Sequence, residues 1–165
     1  MAQDAFKTWY VEGLQAVKAA AEGGRAASGT AHAQNAPPAI RALMEDGAKV
    51  FGAHADKLGR LLEKAGGGAG DKPNPFWDGI QKGSQQMIQA AGDGAVRDAS
   101  VVAAAQIATH YFIATYGTLA SNAKHLGLDD DAATLKGLSD EMKAADGQMT
   151  KLAEERSNPR AGSAA

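Results

Sequence analysis

The chain has 165 residues, enough for one domain with a buried core and too few for a second catalytic domain. Ala occurs 37 times and Gly 20 times against 5% aromatic residues, the composition of slim helices; the glycines lack the three-residue period of collagen, and 44% hydrophobic content at a net charge of -2 excludes full disorder. With 17 basic against 19 acidic residues nothing in the global charge attracts nucleic acid or an anionic membrane, and zero Cys removes disulfides, thiolate metal sites and cysteine nucleophiles.

The first helix is expected to start at a cap on Asp4 and to run to about Glu22, with Phe6, Tyr10, Gly13, Leu14, Val17 and Ala21 on one stripe, and to stop at Gly23-Gly24. After a Gly, Ala, Ser and Thr stretch to Asn35, Pro37-Pro38 opens a second helix with Leu43, Gly47, Val50, His54, Leu58 and Leu61 inward, ending at Gly66-Gly67-Gly68. Pro73 and Pro75 begin a short third helix through Phe76, Trp77, Ile80, Met87 and Ile88. The fourth follows Gly94 and ends at Gly127, with Val102, Ala105, Thr109, Phe112, Ile113, Tyr116 and Leu119 inward. The fifth, capped within Asp129-Asp130-Asp131, carries Leu135, Leu138, Met142, Ala145, Met149 and Leu152, and a disordered tail is expected over 157–165.

No strand pattern competes. Four long helices in two pairs, separated by a long connection with its own short helix, predict an all-α bundle over 1–156. Gly47, Gly52, Gly59, Gly137 and Gly147 each cost about 1 kcal/mol of helix propensity against Ala, so close helix approach is the favoured reason for them. The most apolar stretch, Ala99 to Ala120, is mostly Ala and interrupted by Gln106, Thr109 and His110, so no membrane span is expected; nor is a secretory signal, and the chain is read as cytoplasmic.

The segment from Val96-Arg97-Asp98-Ala99-Ser100 through Gln106, His110-Tyr111, Ile113-Ala114 and Tyr116-Gly117-Thr118-Leu119 resembles the YciE/YciF-type ferritin-like stress protein family. The resemblance extends through Leu126-Gly127-Leu128 and Lys143-Ala144-Ala145-Asp146 to Leu152-Ala153-Glu154, and more loosely back to the start of the chain. It implies a ferritin-like four-helix bundle with a long crossover carrying a short fifth helix, a dimeric tendency, a bacterial stress setting, and carboxylates and histidines at the bundle centre able to hold two metal ions.

Against that pattern, a first-helix Asp-Ala-Glu is replaced by Gln15-Ala16-Val17, a second-helix Glu by Val50 ahead of the retained His54, a fourth-helix Glu-His-Tyr-Glu by Thr109-His110-Tyr111-Phe112, and a fifth-helix Glu pair by Glu141-Met142. Val17, Val50, Phe112 and Met142 also fall on the apolar stripes drawn from periodicity. The resemblance therefore implies a dimetal site refilled with hydrocarbon, since a carboxylate left without its cation is costly to desolvate. If metal (Fe or Mn) is retained at all, His54 and Glu141 are its candidate ligands; no other cofactor is expected.

The plainer readings are favoured: His54 as a neutral core imidazole with no carboxylate within reach, Glu141 as surface charge, and His110 at a helix or subunit contact. His32 and His125 receive no function, and Gly66-Gly67-Gly68-Ala69-Gly70-Asp71 lacks the Lys-Ser/Thr of a phosphate loop. Three functions stay open. The first is a metal-deficient protein acting by association, as a homodimer or with a stress-related partner, leaning away from enzyme activity. The second is a metal-binding protein or oxidoreductase with a reduced ligand set; the third is a binder of a small apolar ligand oriented by His54 and Thr109. Trp9, Tyr10, Phe76 and Trp77 are the candidate dimer contacts.

Overall fold

The computed structural model describes residues 2–29, 36–68, 72–92 and 94–163. His32 lies outside the described residues. Five helices carry the fold, four long ones and a shorter third: α1 (Ala2–Ser28), α2 (Pro38–Ala65), α3 (Pro75–Ala90), α4 (Ala95–His125) and α5 (Asp129–Leu152). No strand occurs among the described residues. α1 packs along α2 and α4 along α5, each pair antiparallel, while α1–α4 and α2–α5 contacts close the bundle and α3 crosses over on the α4 side. The molecule is a ferritin-like helical bundle.

Local chemistry explains most boundaries. Pro38 stands at the first turn of α2, where its missing N–H costs nothing, and Gly66 closes the helix at φ 74 with its N–H on the Glu63 carbonyl. Asn74 caps α3, its side chain accepting from the Trp77 N–H at 3.0 Å, ahead of Pro75. Gly127, also at φ 74, turns α4 into α5.

Several boundaries depart from the sequence reading. α1 begins at Ala2, so Asp4 lies in its first turn rather than at the cap, and it continues through Gly23-Gly24 to Ser28. Those glycines are used for proximity: a Cβ on Gly23 would collide with the Trp77 indole, and one on Gly24 would stand 3.0 Å from the Phe51 ring. Of the five glycines expected to mark close approach, Gly47, Gly52 and Gly59 on α2 do face α1 side chains, whereas Gly137 and Gly147 on α5 look into open space. α5 starts from Leu128 without a side-chain cap; Asp131 is buried instead. The expected tail is different too. A π-helical turn, Ala153–Ser157, and a short helix, α6 (Asn158–Gly162), extend the chain, with Ser157 buried and Arg160 Nη1 3.7 Å from Asp98 Oδ2.

The main core joins all four long helices and α3: Tyr10, Leu14 and Val17 from α1, Phe51 and Leu58 from α2, Trp77 from α3, Phe112, Tyr116 and Leu119 from α4, and Leu135, Leu138 and Met142 from α5. A smaller cluster of Ile40, Val102 and Met149 seals the end where α2 begins. Apart from Ile40 and Phe51, which the expected α2 stripe leaves out, these residues lie on the stripes that periodicity predicts.

Candidate functional site

His54 is fully buried on α2, yet it is not isolated. Its Nε2 lies 2.9 Å from Glu141 Oε2 on α5, and its Nδ1 lies 3.1 Å from the Tyr116 hydroxyl on α4. Lys57, one turn beyond His54 on α2, donates to Glu141 Oε1 at 2.8 Å. The expectation of an imidazole without a carboxylate in reach is thus incorrect. Glu141 sits one position off the apolar stripe, which leaves it 48% exposed, but its side chain is long enough to turn one oxygen inward.

The partners fix the tautomer. A carboxylate held by Lys57 only accepts, so Nε2 carries the proton and donates to Glu141; Nδ1 is then the free lone pair and accepts from Tyr116 O–H. Burial holds the His54 pKa below its usual value, against the opposing pull of the Glu141 bond and charge. The bond from Lys57, reinforced by His54, holds Glu141 below the usual carboxylate range. Burial pushes the Tyr116 phenol up, so it stays a proton donor. The arrangement is a relay running from the wholly buried phenol through an imidazole to a carboxylate at the protein surface.

Val17, Phe112 and Met142 are all buried in the main core, and Val50 is packed against it. Thr109 is 4% exposed. Among the described residues no group of three His, Asp or Glu side chains stands together as a metal site would require. Both His54 nitrogens are engaged and the neighbouring positions are hydrocarbon, so the residues present do not fit a dimetal centre. Two hollows open on the surface, one between α1 and α2 and one between α3 and α4, and neither is lined by His54 or Thr109.

The remaining candidates separate. His110 is exposed and spans a helix–helix contact, its Nε2 3.3 Å from Asp146 Oδ1 on α5. Among the described residues His125 bonds the Ser121 carbonyl of its own helix. Tyr10 and Trp77 are core residues, which corrects their assignment as subunit contacts; Trp9 and Phe76 are exposed, Phe76 at 80%. Sequence reasoning missed Lys57 and the roles of Tyr116 and Asp131. Asp131 accepts from Tyr10 O–H at 3.3 Å and from Lys64 Nζ at 3.0 Å, joining α1, α2 and α5. The available signal was spacing: Lys57 follows His54 by one turn, and Asp131 opens the α5 stripe four residues before Leu135.

The model of the family described as a domain of unknown function, DUF892, matches residues 5–162. The chain belongs to this family. It is 42% identical over 76 residues to Protein YciF of Escherichia coli (strain K12), a match covering 46% of each chain, so it spans about half the length of that curated relative. Among solved structures it resembles YcfI, described as a putative structural protein, from Rhodopseudomonas palustris, with 26% identity, TM-score 0.82, and coverage of 88% of this chain and 92% of that one. These relationships make it a YciF-type member of the family. No helix among its described residues is long and apolar enough to cross a membrane.

Proposed function

We propose that this chain is a metal-deficient ferritin-like protein that works by association rather than through a metal centre. The observation carrying the reading is that the positions where the family resemblance implies ligands hold Val17, Phe112 and Met142 inside one core, with Val50 packed on it. An isolated carboxylate there has no cation to compensate its desolvation, and apolar replacement then stabilises the fold. The description of YcfI as a putative structural protein is in keeping with such a role. A cytoplasmic setting fits a chain without Cys, the stress-related one follows from the family resemblance, and a homodimer fits the exposed apolar side chains: Phe76, Trp9 and Ile107 replace the buried Tyr10 and Trp77 as contacts.

Elemental analysis of protein purified without chelator or affinity tag tests the reading. Iron, manganese and zinc are expected well below one equivalent per chain; an equivalent or more that disappears in His54→Ala overturns it. Restoring the charges together, with Val17→Glu, Val50→Glu, Phe112→Glu and Met142→Glu, is expected to give a fold that Fe²⁺ or Mn²⁺ stabilises by mass action. A quadruple variant whose melting temperature ignores added metal means that the positions do not converge. Light scattering across micromolar concentrations tests the dimer, and a monomer throughout removes it.

A further inference from the structure

Three oxidisable side chains stand in one contact chain around Phe112. The Tyr116 and Phe112 ring centroids are 5.6 Å apart, Phe112 and Trp77 5.3 Å, Tyr111 and Phe112 5.3 Å, and Trp77 and Tyr111 5.9 Å. Tyr116 is wholly buried and Tyr111 half-buried, so the chain leads from the interior toward the surface. Loss of one electron turns a phenol into a strong acid and makes an indole N–H far more acidic than before, so whether a tyrosine keeps the oxidation is set by where its proton goes.

The three differ in that respect. The Trp77 indole N–H is buried and has no hydrogen-bond partner among the described residues. The Tyr111 hydroxyl accepts from Asn74 Nδ2 at 2.6 Å, and among the described residues it has no acceptor for its own proton. Of the three, among the described residues, Tyr116 alone faces a base, the Nδ1 lone pair of His54 at 3.1 Å. Behind that base, Glu141 bonds the far side of the imidazole and compensates the charge it would gain. Tyr10 also has an acceptor, but it stands outside the contact chain, and its Asp131 carboxylate is already engaged by Lys64. A carboxylate is also intrinsically the weaker base, with a reference pKa of about 3.9 against about 6.5 for imidazole.

We propose that Tyr116 is a redox-active tyrosine with His54 as its proton acceptor. A high-potential outer-sphere oxidant, of the class of trivalent metal polypyridyl complexes, acting at the outer end of the aromatic chain draws one electron from Tyr116 through Phe112 and Trp77 or Tyr111. The Tyr116 O–H bond breaks as an N–H bond forms at His54 Nδ1. The products are a neutral tyrosyl radical, an imidazolium held by Glu141, and the oxidant reduced by one electron. A purely structural Tyr116–His54 bond satisfies the same buried groups but directs no radical to this residue. The proposal needs no metal and is independent of the association reading above.

The test uses the full chain carrying Trp9→Phe, which removes the exposed indole as a competing site. A photogenerated ruthenium(III) polypyridyl complex serves as the one-electron oxidant, and freeze-quenched samples are read by electron paramagnetic resonance with ring-deuterated tyrosine. The expected result is a neutral tyrosyl spectrum that narrows on deuteration, persists in Tyr10→Phe and in Tyr111→Phe, and is lost in Tyr116→Phe. In His54→Gln, with the helical fold checked by circular dichroism, the Tyr116 signal is expected to fall to background. Should Tyr116→Phe fail to fold, the double variant Tyr10→Phe/Tyr111→Phe leaves Tyr116 as the sole tyrosine and must still give the radical. A tyrosyl signal that survives Tyr116→Phe, an undiminished yield in His54→Gln, or no tyrosyl signal in the double variant overturns the proposal.

Discussion

Two polar networks thread the bundle, and they solve the same problem in opposite ways. Each links a buried tyrosine to a carboxylate on α5 and a lysine on α2: Tyr10–Asp131–Lys64 near the α4–α5 turn, and Tyr116–His54–Glu141–Lys57 deeper along the helices. In the first the carboxylate itself is buried, the Asp131 side chain being 3% exposed, and the lysine reaches in from solvent. In the second the buried link is a neutral imidazole, and the carboxylate stays half in water. The helix interior accepts a charge only beside its counter-charge, and otherwise takes a neutral group that passes hydrogen bonds outward.

The largest test of that contrast places a carboxylate where neither network reaches. Val17→Glu is expected to cost several kcal/mol at neutral pH, because the new group has no lysine or imidazole partner, and less in acid, where it takes up a proton. Urea denaturation at two pH values measures this, and a neutral result would mean that position 17 opens to solvent. Next in size is the difference between the two lysines. Lys64→Met takes the counter-charge from a buried carboxylate, leaving it only the Tyr10 hydroxyl, and is expected to destabilise more than Lys57→Met, whose Glu141 keeps its water. Equal costs in chemical denaturation would erase the distinction between buried and surface charge.

The tyrosines sharpen the comparison further. Tyr116→Phe leaves the buried Nδ1 of His54 without a donor and is expected to cost about 1–3 kcal/mol, whereas Tyr10→Phe leaves Asp131 still bonded to Lys64 and costs about 0.5–1.5 kcal/mol. A larger loss for Tyr10→Phe would reverse the ranking. The smallest effect is the pH dependence of His54. Its folded pKa is depressed, so the unfolded chain binds the proton first, and stability falls as pH drops below about 6.5 toward the folded value. Glu141, also depressed, adds a loss of the same sign below the ordinary carboxylate range. By NMR, His54 is expected to titrate below about 6.5, and lower still in Glu141→Gln, where the group raising its pKa is gone. A midpoint above that value in the native protein would contradict its burial.

Gly23-Gly24 shows where sequence reasoning went astray and why. Glycine ends helices by adopting φ > 0 and also lets helices approach by lacking a Cβ, and a sequence does not distinguish these uses. Only the Trp77 and Phe51 rings pressed on α1 show that the second applies. At Gly66 and Gly127 the first applies, and there the expected helix ends hold. His54 was legible as an inward residue because its neighbours at helical spacing are apolar. Its bonds were not: Tyr116 lies 62 residues away along the chain and Glu141 87.

The sequence by itself determined the number of long helices, their inward stripes and the apolar filling of the bundle centre, because each follows from local periodicity and from side-chain type. Tertiary structure alone decided which polar tips meet. Tyr, Glu and Lys carry their polar atoms several bonds from the backbone, so a residue on or beside an apolar stripe sends its tip wherever a neighbouring helix leaves a partner. The register of α4 and α5 against α2, set by packing along their whole length, places the Tyr116 hydroxyl and the Glu141 carboxylate on opposite sides of one imidazole.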